Sequence, residues 1–386
     1  MSPKLSEIVL RQRLLICVGS GGVGKTTVAA SLAVAAARAG RKVLVLTIDP
    51  ARRLANSLGL QRFGNDEVRV PLEQAGEAVA GGELWAMMLD SRHAFDALIT
   101  RLSRDPETRR RILENNVYRN IADSIAGSQE YMATEKLYDV VASGRYDLVV
   151  LDTPPVKNAL DFLEAPGRLS RFLDKRIMKW FLEPYDEKRV FSRLMSGTSA
   201  VVFRLLGHIF GREFLQDISD FFLHFRDMYD GFRERHEAVV KMFHASDTSF
   251  VVVCAPNEPS IEVAQFFLDE FRTRRLPGAG VIVNQVHPTS GAPLDPDEVL
   301  GARARQHSAD LAPHTADRLL ARLGAAHRRL RELSALEEQQ IQQVTDKLDR
   351  GQHLWKVPRL ETQVHDLGAL SRVGAHLMQV EAVKRG

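Results

Sequence analysis

Gly19-Ser20-Gly21-Gly22-Val23-Gly24-Lys25-Thr26-Thr27 fits the pattern GxxxxGK[ST], and its flanks decide how it is read. Before it runs an apolar, β-type segment, Leu14 to Val18. After it comes an alanine-rich segment of helical character, Val28 to Arg38. A glycine-rich turn between a strand and a helix is the setting of a phosphate-binding loop. Glycines let successive backbone N–H groups turn inward, and the helix N-terminus adds the positive end of its dipole. Gly21, Gly22, Val23, Gly24 and Thr27 are therefore expected to line phosphate. Lys25 is expected to reach the β and γ phosphates, and Thr26 to offer its hydroxyl to Mg²⁺.

The rest of the 386-residue chain must supply a body for this loop. It is 45% hydrophobic and 26% charged, ordinary values for a soluble globular protein. A net charge of +3, without a dense basic run interleaved with aromatics, argues against nucleic acid as a partner. Residues 1–13 carry scattered charges and no apolar core of a signal peptide. The most apolar glycine-bounded stretch, residues 197–211, is short and contains Arg204 and His208, so it does not read as a bilayer span. The two cysteines, Cys17 and Cys254, sit in apolar runs and read as buried thiols. A cytoplasmic location follows as the expectation.

Short apolar runs recur at Lys42–Ile48, Leu84–Leu89, Asp147–Leu151, Phe250–Cys254, Gly280–Val283 and Leu354–Val357. Runs without polar alternation suit strands covered on both faces, and helical stretches between them suit parallel crossovers. The expected fold is α/β, a doubly wound, mostly parallel sheet. The whole chain, residues 1–386, is read as one such domain. Two stretches exceed a simple crossover. Residues 90–144 read as a helical crossover region, and residues 160–249 as an inserted helical subdomain. Eleven of the 18 Phe lie between residues 172 and 243, which fits either a packed bundle or an apolar groove for a client. Residues 295–349 read as one or two long helices, broken near Pro313 and Gly324, with no strict heptad over the stretch.

Two carboxylates complete the chemistry. Asp49 follows the strand Lys42–Ile48, where it can orient a water in line with the γ phosphate. Asp152 ends the run Leu148-Val149-Val150-Leu151, the pattern of a residue that holds Mg²⁺ directly or through water.

The segments GSGGVGKTTVAASLA, TIDPARRL, LDTPP followed by ALDFL, VVVCAPNEPSIEVAQFFLDEF, VIVNQV and VPRLETQVHDLGAL extend over nearly the whole chain. Together they resemble the ATPases that drive arsenite pumps and deliver tail-anchored membrane proteins, part of the deviant P-loop group that also holds the Min and Par partitioning ATPases. The resemblance implies an ATP-hydrolysing homodimer or pseudodimer with ATP near the interface, coupled to a hydrophobic helical client or a membrane protein. It implies that Asp49 activates water in the first switch and that Asp152 opens the second. It also implies that Asn284 contacts adenine and that Pro358 falls where a C-terminal loop lines the base.

Three departures from the family pattern matter. The signature lysine after the first glycine is Ser20, which removes one positive charge from each composite site. Arg52, Arg53 or Lys157 can substitute, a different, related subunit can supply the lysine, or hydrolysis can be slow. No CxxC pair exists, so the four thiolates of a shared zinc site are missing and no zinc is expected. The clustered thiols of a metalloid site are missing too. Finally, Lys157 and Asn158 replace the histidine and glycine often found in the second switch. The expected function is a dimeric switch ATPase with ATP and Mg²⁺ as cofactors. A partitioning regulator and a weakly active subunit of a heteromeric ATPase are the alternatives.

Overall fold

The computed structural model describes residues 4–48, 53–60, 64, 66–75, 81–89, 99–100, 103, 105–115, 128–154, 229–287, 313–360, 364 and 366–383. Eight strands form one sheet: β1 Leu14–Gly19, β2 Lys42–Thr47, β3 Val68–Val70, β4 Glu83–Met88, β5 Leu148–Asp152, β6 Thr248–Cys254, β7 Gly278–Val286 and β8 His353–Pro358. Their spatial order is β3-β4-β2-β5-β1-β6-β7-β8, and every pair is parallel except β3 with β4. The α/β, mostly parallel fold read from the sequence is the one observed. Each expected strand is present, with ends shifted by up to three residues.

Continuous apolarity along the strands has a direct cause, because alternate side chains enter two separate cores. Leu15 and Cys17 of β1, Val43 and Val45 of β2, and Val251 and Val253 of β6 face one side. There they pack with α1 Leu5–Arg11, α2 Lys25–Arg38 and the last helix, Leu367–Gln379. Leu14, Ile16 and Val18, with Leu44, Leu46, Phe250 and Val252, face the other side. The remaining described helices are α3 Arg53–Ser57, α4 Pro106–Glu114, α5 Ser128–Ala142, α6 Tyr229–Phe243, α7 Glu258–Arg274 and α8 Pro313–Thr345, and the last helix is α9. Side chains of α5, α6, α7 and α8 fill the second core.

Three readings need amendment. β3 is missing from the sequence-based list, because a three-residue edge strand with Arg69 at its centre has neither the length nor the apolarity of its neighbours. α8 runs unbroken through Gly324, since one glycine costs a long helix only about 1 kcal/mol. The strand after the long insertion begins at Thr248, so the 160–249 span ends inside β6. Most of that span, residues 160–228, lies outside the described residues. Of residues 90–144, α4 and α5 are described. Within the described part of the 160–249 span, α6 is tied to α5 by Arg235. Its guanidinium donates to Glu135, whose side chain is 2% exposed, and to Asp139 at 2.6 Å.

The chain leaves β1 for β2 on one side and later takes β6 on the other, so β1 and β5 sit at the centre. In such sheets the binding crevice opens at the carboxyl ends of the central strands. Gly19, Thr47, Met88, Asp152, Cys254, Val286 and Pro358 are the residues that end their strands there.

Candidate functional site

At the centre of that edge the loop from Gly19 to Gly24 joins β1 to α2. Gly19 has φ +152°, and a Cβ there would lie 2.0 Å from the Val253 carbonyl oxygen on β6. Gly24 has φ +83°, and its Cβ would meet Asn284 Nδ2 at 2.4 Å. Both positions need glycine for backbone conformation; at Gly19 backbone also fills the space, whereas at Gly24 the neighbour is the end of a side chain. Gly24 caps α2 and accepts the first helical bond from Val28 N at 2.9 Å. Gly21 and Gly22 are exposed, whereas Val23 is buried beneath them and Lys25 is only 7% exposed. Thr27, the third residue of α2, is half-buried.

Asp152 provides the focus of the site. Cross-strand register sets Cys17 and Thr47 beside it on β1 and β2. Thr26 Oγ1 donates to Asp152 Oδ2 at 2.7 Å, and Thr47 Oγ1 donates to the same oxygen at 3.2 Å. Asp152 is fully buried. Hydroxyl and carboxylate oxygens with no sulfur or imidazole are a donor set for a hard cation such as Mg²⁺. Thr26 and Asp152, assigned to the metal from sequence, are thus brought into contact.

Asn284 reaches the loop from β7 by a distinct device. Val283 pairs with Lys356 and Val286 with Pro358, so β7 carries one extra residue there. Gln285 takes φ +62° within that bulge. Bulges re-aim side chains, and here Asn284 Nδ2 donates to the Val23 carbonyl at 2.8 Å. Pro358 ends β8 opposite Val286, and the next residue, Arg359, donates its N–H to Val286 O at 2.8 Å. Asn284, two residues before the end of β7, and Pro358, at the end of β8, therefore lie on adjacent strands at one edge. Asp49, Arg52 and Lys157 lie outside the described residues. Arg53 opens α3 and is exposed.

Ser20 turns to β6 and α7. Its hydroxyl lies 3.0 Å from that of Ser260. Ser260 Oγ accepts the Ala255 N–H at 3.0 Å, and Ser260 N donates to Asn257, which caps α7, at 3.2 Å. Ser260 and Thr47 were missed in the sequence. Thr47 could have been found as the hydroxyl residue that ends β2, but Ser260 reaches the loop only through tertiary packing.

Cys17 and Cys254 are free thiols on opposite faces of the sheet. Burial, reinforced by Asp152 and opposed by Lys25, pushes the Cys17 thiol far above its ordinary value, which places both charges near the end of β1. Burial alone pushes Cys254 from 9.0 up to about 12. Unfolded thiols would ionise first, so this contribution to stability is complete below pH 9 and falls as pH rises towards 12. Neither thiol should react with iodoacetamide at neutral pH on the time scale that alkylates the urea-unfolded chain completely. Rapid native alkylation would show that the sheet is open at these strands.

A glycine loop between a central strand and a helix, with a buried aspartate bonded to the loop's threonine, defines a P-loop nucleotide-binding protein of the α/β class. The sequence profile of the anion-transporting ATPase family matches residues 12–308, and the chain belongs to that family. It is similar to the ATPase get3 of Aspergillus terreus, 28% identical over 301 residues, covering 76% of this chain and 80% of the relative. It is similar also to the ATPase GET3 of Podospora anserina, 27% identical with 74% and 77% covered. It matches the ATPase GET3 of Malassezia globosa at 31% identity over 45% of this chain and 49% of the relative. The chain is an ATPase of this family. Among the described residues, no helix is long and apolar enough to cross a membrane.

Proposed function

We propose that this ATPase is a dimeric, nucleotide-gated switch whose γ phosphate controls the segments that follow β2 and β5. The observation that carries the reading is the bonding of Asp152 to Thr26 and Thr47. One carboxylate thereby ties the phosphate loop to the ends of β2 and β5, and the chain beyond both strand ends leads into the segments the switch must move. Asp49 follows Thr47 by two residues, and the long insertion, read from residue 160, begins eight residues after Asp152. Contacts to the γ phosphate that vanish on cleavage give two states of different affinity, which a switch requires.

In this reading Lys25 and the loop N–H groups hold the β and γ phosphates, and Asp49 orients the attacking water. Thr26 and Asp152 would hold Mg²⁺, which when bound would neutralise charge on the transferring phosphoryl group. Asn284 and Pro358 border the base. The Phe-rich residues between β5 and α6 would bind a hydrophobic helical client in one nucleotide state.

Replacing Asp49 with asparagine should leave ATP binding near its original affinity while turnover falls by about a hundredfold or more. Sedimentation velocity of that variant should show a dimer with ATP and less dimer without it. Unchanged turnover, or sedimentation indifferent to ATP, would overturn the reading.

Ser20 favours a second arrangement, a mixed dimer. Its hydroxyl is engaged within its own protomer by Ser260. A related subunit carrying lysine at this position would then complete the site, and co-expression of such a subunit should raise turnover.

A further inference from the structure

Helix α8 carries five of the nine large apolar side chains that are exposed among the described residues: Leu319, Leu323, Leu330, Leu333 and Leu336, each 37–59% exposed. Leu319, Leu323, Ala326, Leu330 and Leu333 are spaced by four, three, four and three residues, the spacing of a coiled-coil seam. Further along, the same stripe enters the protein body as Glu337, Ile341 and Val344, all buried. There the helix is fixed. Glu337 accepts from His287 N at 2.9 Å, and its other oxygen lies 2.6 Å from His287 Nδ1. Gln265 of α7 donates to Gln343 O at 3.2 Å. A leucine seam thus continues from a packed root onto exposed helix.

The two edges of the seam differ. On one side Gly324 and Ser334 are buried and His327 is half-buried, so that edge is closed. On the other side Arg318, Arg322 and Arg329 form an exposed row. A lipid surface calls for a broad apolar face, wider than this seam. A second copy fits poorly as well. In an antiparallel pair the arginine edges would face each other, and a parallel pair would need the closed edge.

We propose that α8 docks one amphipathic helix of a partner protein, with leucine-type residues at its a and d positions and Asp or Glu along the edge that meets Arg318, Arg322 and Arg329. Opposite charges at such edges set partner choice and orientation, and the apolar seam supplies affinity. The assay is run without nucleotide, so that its outcome does not depend on the nucleotide switch.

The probe is a synthetic three-heptad peptide with Leu at a and d and Glu at e and g, compared with its Lys counterpart by fluorescence anisotropy on the full chain. The Glu peptide should bind at least about tenfold more tightly, and the preference should shrink as salt rises. R318E/R322E/R329E should reverse the preference, and L323E/L330E should abolish binding of both peptides. ATP binding by each variant checks that it is folded, and the arginine variant decides alone if the leucine variant does not fold. Equal binding of both peptides, or of neither, would overturn the proposal. So would leucine-dependent retention on phosphatidylserine vesicles without peptide binding, or a dimer of the free chain that dissolves in L323E/L330E.

Discussion

Lys25→Ala should lower ATP turnover by about a thousandfold while leaving the chain folded, because it removes the one phosphate-directed cation of the loop without disturbing the glycine geometry. Lys25 is 7% exposed at the start of α2, and its charge is felt by Cys17 at the adjoining strand. In such a confined site a charge acts more strongly than on an open surface, and no hydration shell must be rebuilt as charge develops on the phosphate. Steady-state phosphate release measures the rate. Thermal unfolding with and without ATP separates lost binding from lost folding: the variant should keep its nucleotide-free melting temperature and lose the ATP-induced rise. Turnover within about tenfold of the original would mean that Lys25 does not touch the reacting phosphates.

Gly19→Ala should be the most damaging small substitution in the site for stability. Its φ of +152° is costly for alanine, and the added Cβ would lie 2.0 Å from Val253 O. That oxygen belongs to β6, which pairs with β1 along its whole length, so relief requires the two strands to part. A cost of about 4 kcal/mol is expected, combining backbone strain with overpacking, and urea denaturation should show it as a lower midpoint. Gly22→Ala is the control. It shares a positive φ, +81°, but a Cβ there meets nothing within 4 Å, so only the conformational part of the cost, about 1 kcal/mol, should appear. Equal losses in the two variants would show that the β6 contact is not what excludes a side chain at Gly19.

The sheet was legible in the sequence because its central strands are covered on both faces. Leu14 to Val18 and Phe250 to Cys254 needed no alternation to be recognised, and the loop after β1 announced itself by local glycine spacing. Thr26 and Asp152 were legible for a related reason, since each sits where its own strand or helix meets the crevice. What escaped notice arises between elements. Ser260 meets Ser20 only because β6 lies beside β1 and α7 begins just beyond it. The bulge at Gln285 that points Asn284 at Val23 depends on the register of β7 against β8, and the local string Val283-Asn284-Gln285-Val286 does not encode it. Gly324 misled in the opposite direction. It looked like a break, yet the surrounding helix formers, with Glu337 and Ile341 anchoring the root, carry α8 through it. Ser20 was visible as a departure from the family pattern, but its engagement by Ser260 could be seen only in three dimensions.

The central claim is that catalysis belongs to a dimer in which nucleotide completes the interface. Specific ATPase activity of the purified chain, measured from well below to well above the concentration at which sedimentation shows half dimer, tests it most directly. The account predicts that activity per chain rises with protein concentration along the same curve as the dimer fraction, and that Lys25→Ala is inactive throughout. Activity per chain that stays constant while the protein passes from monomer to dimer would contradict it.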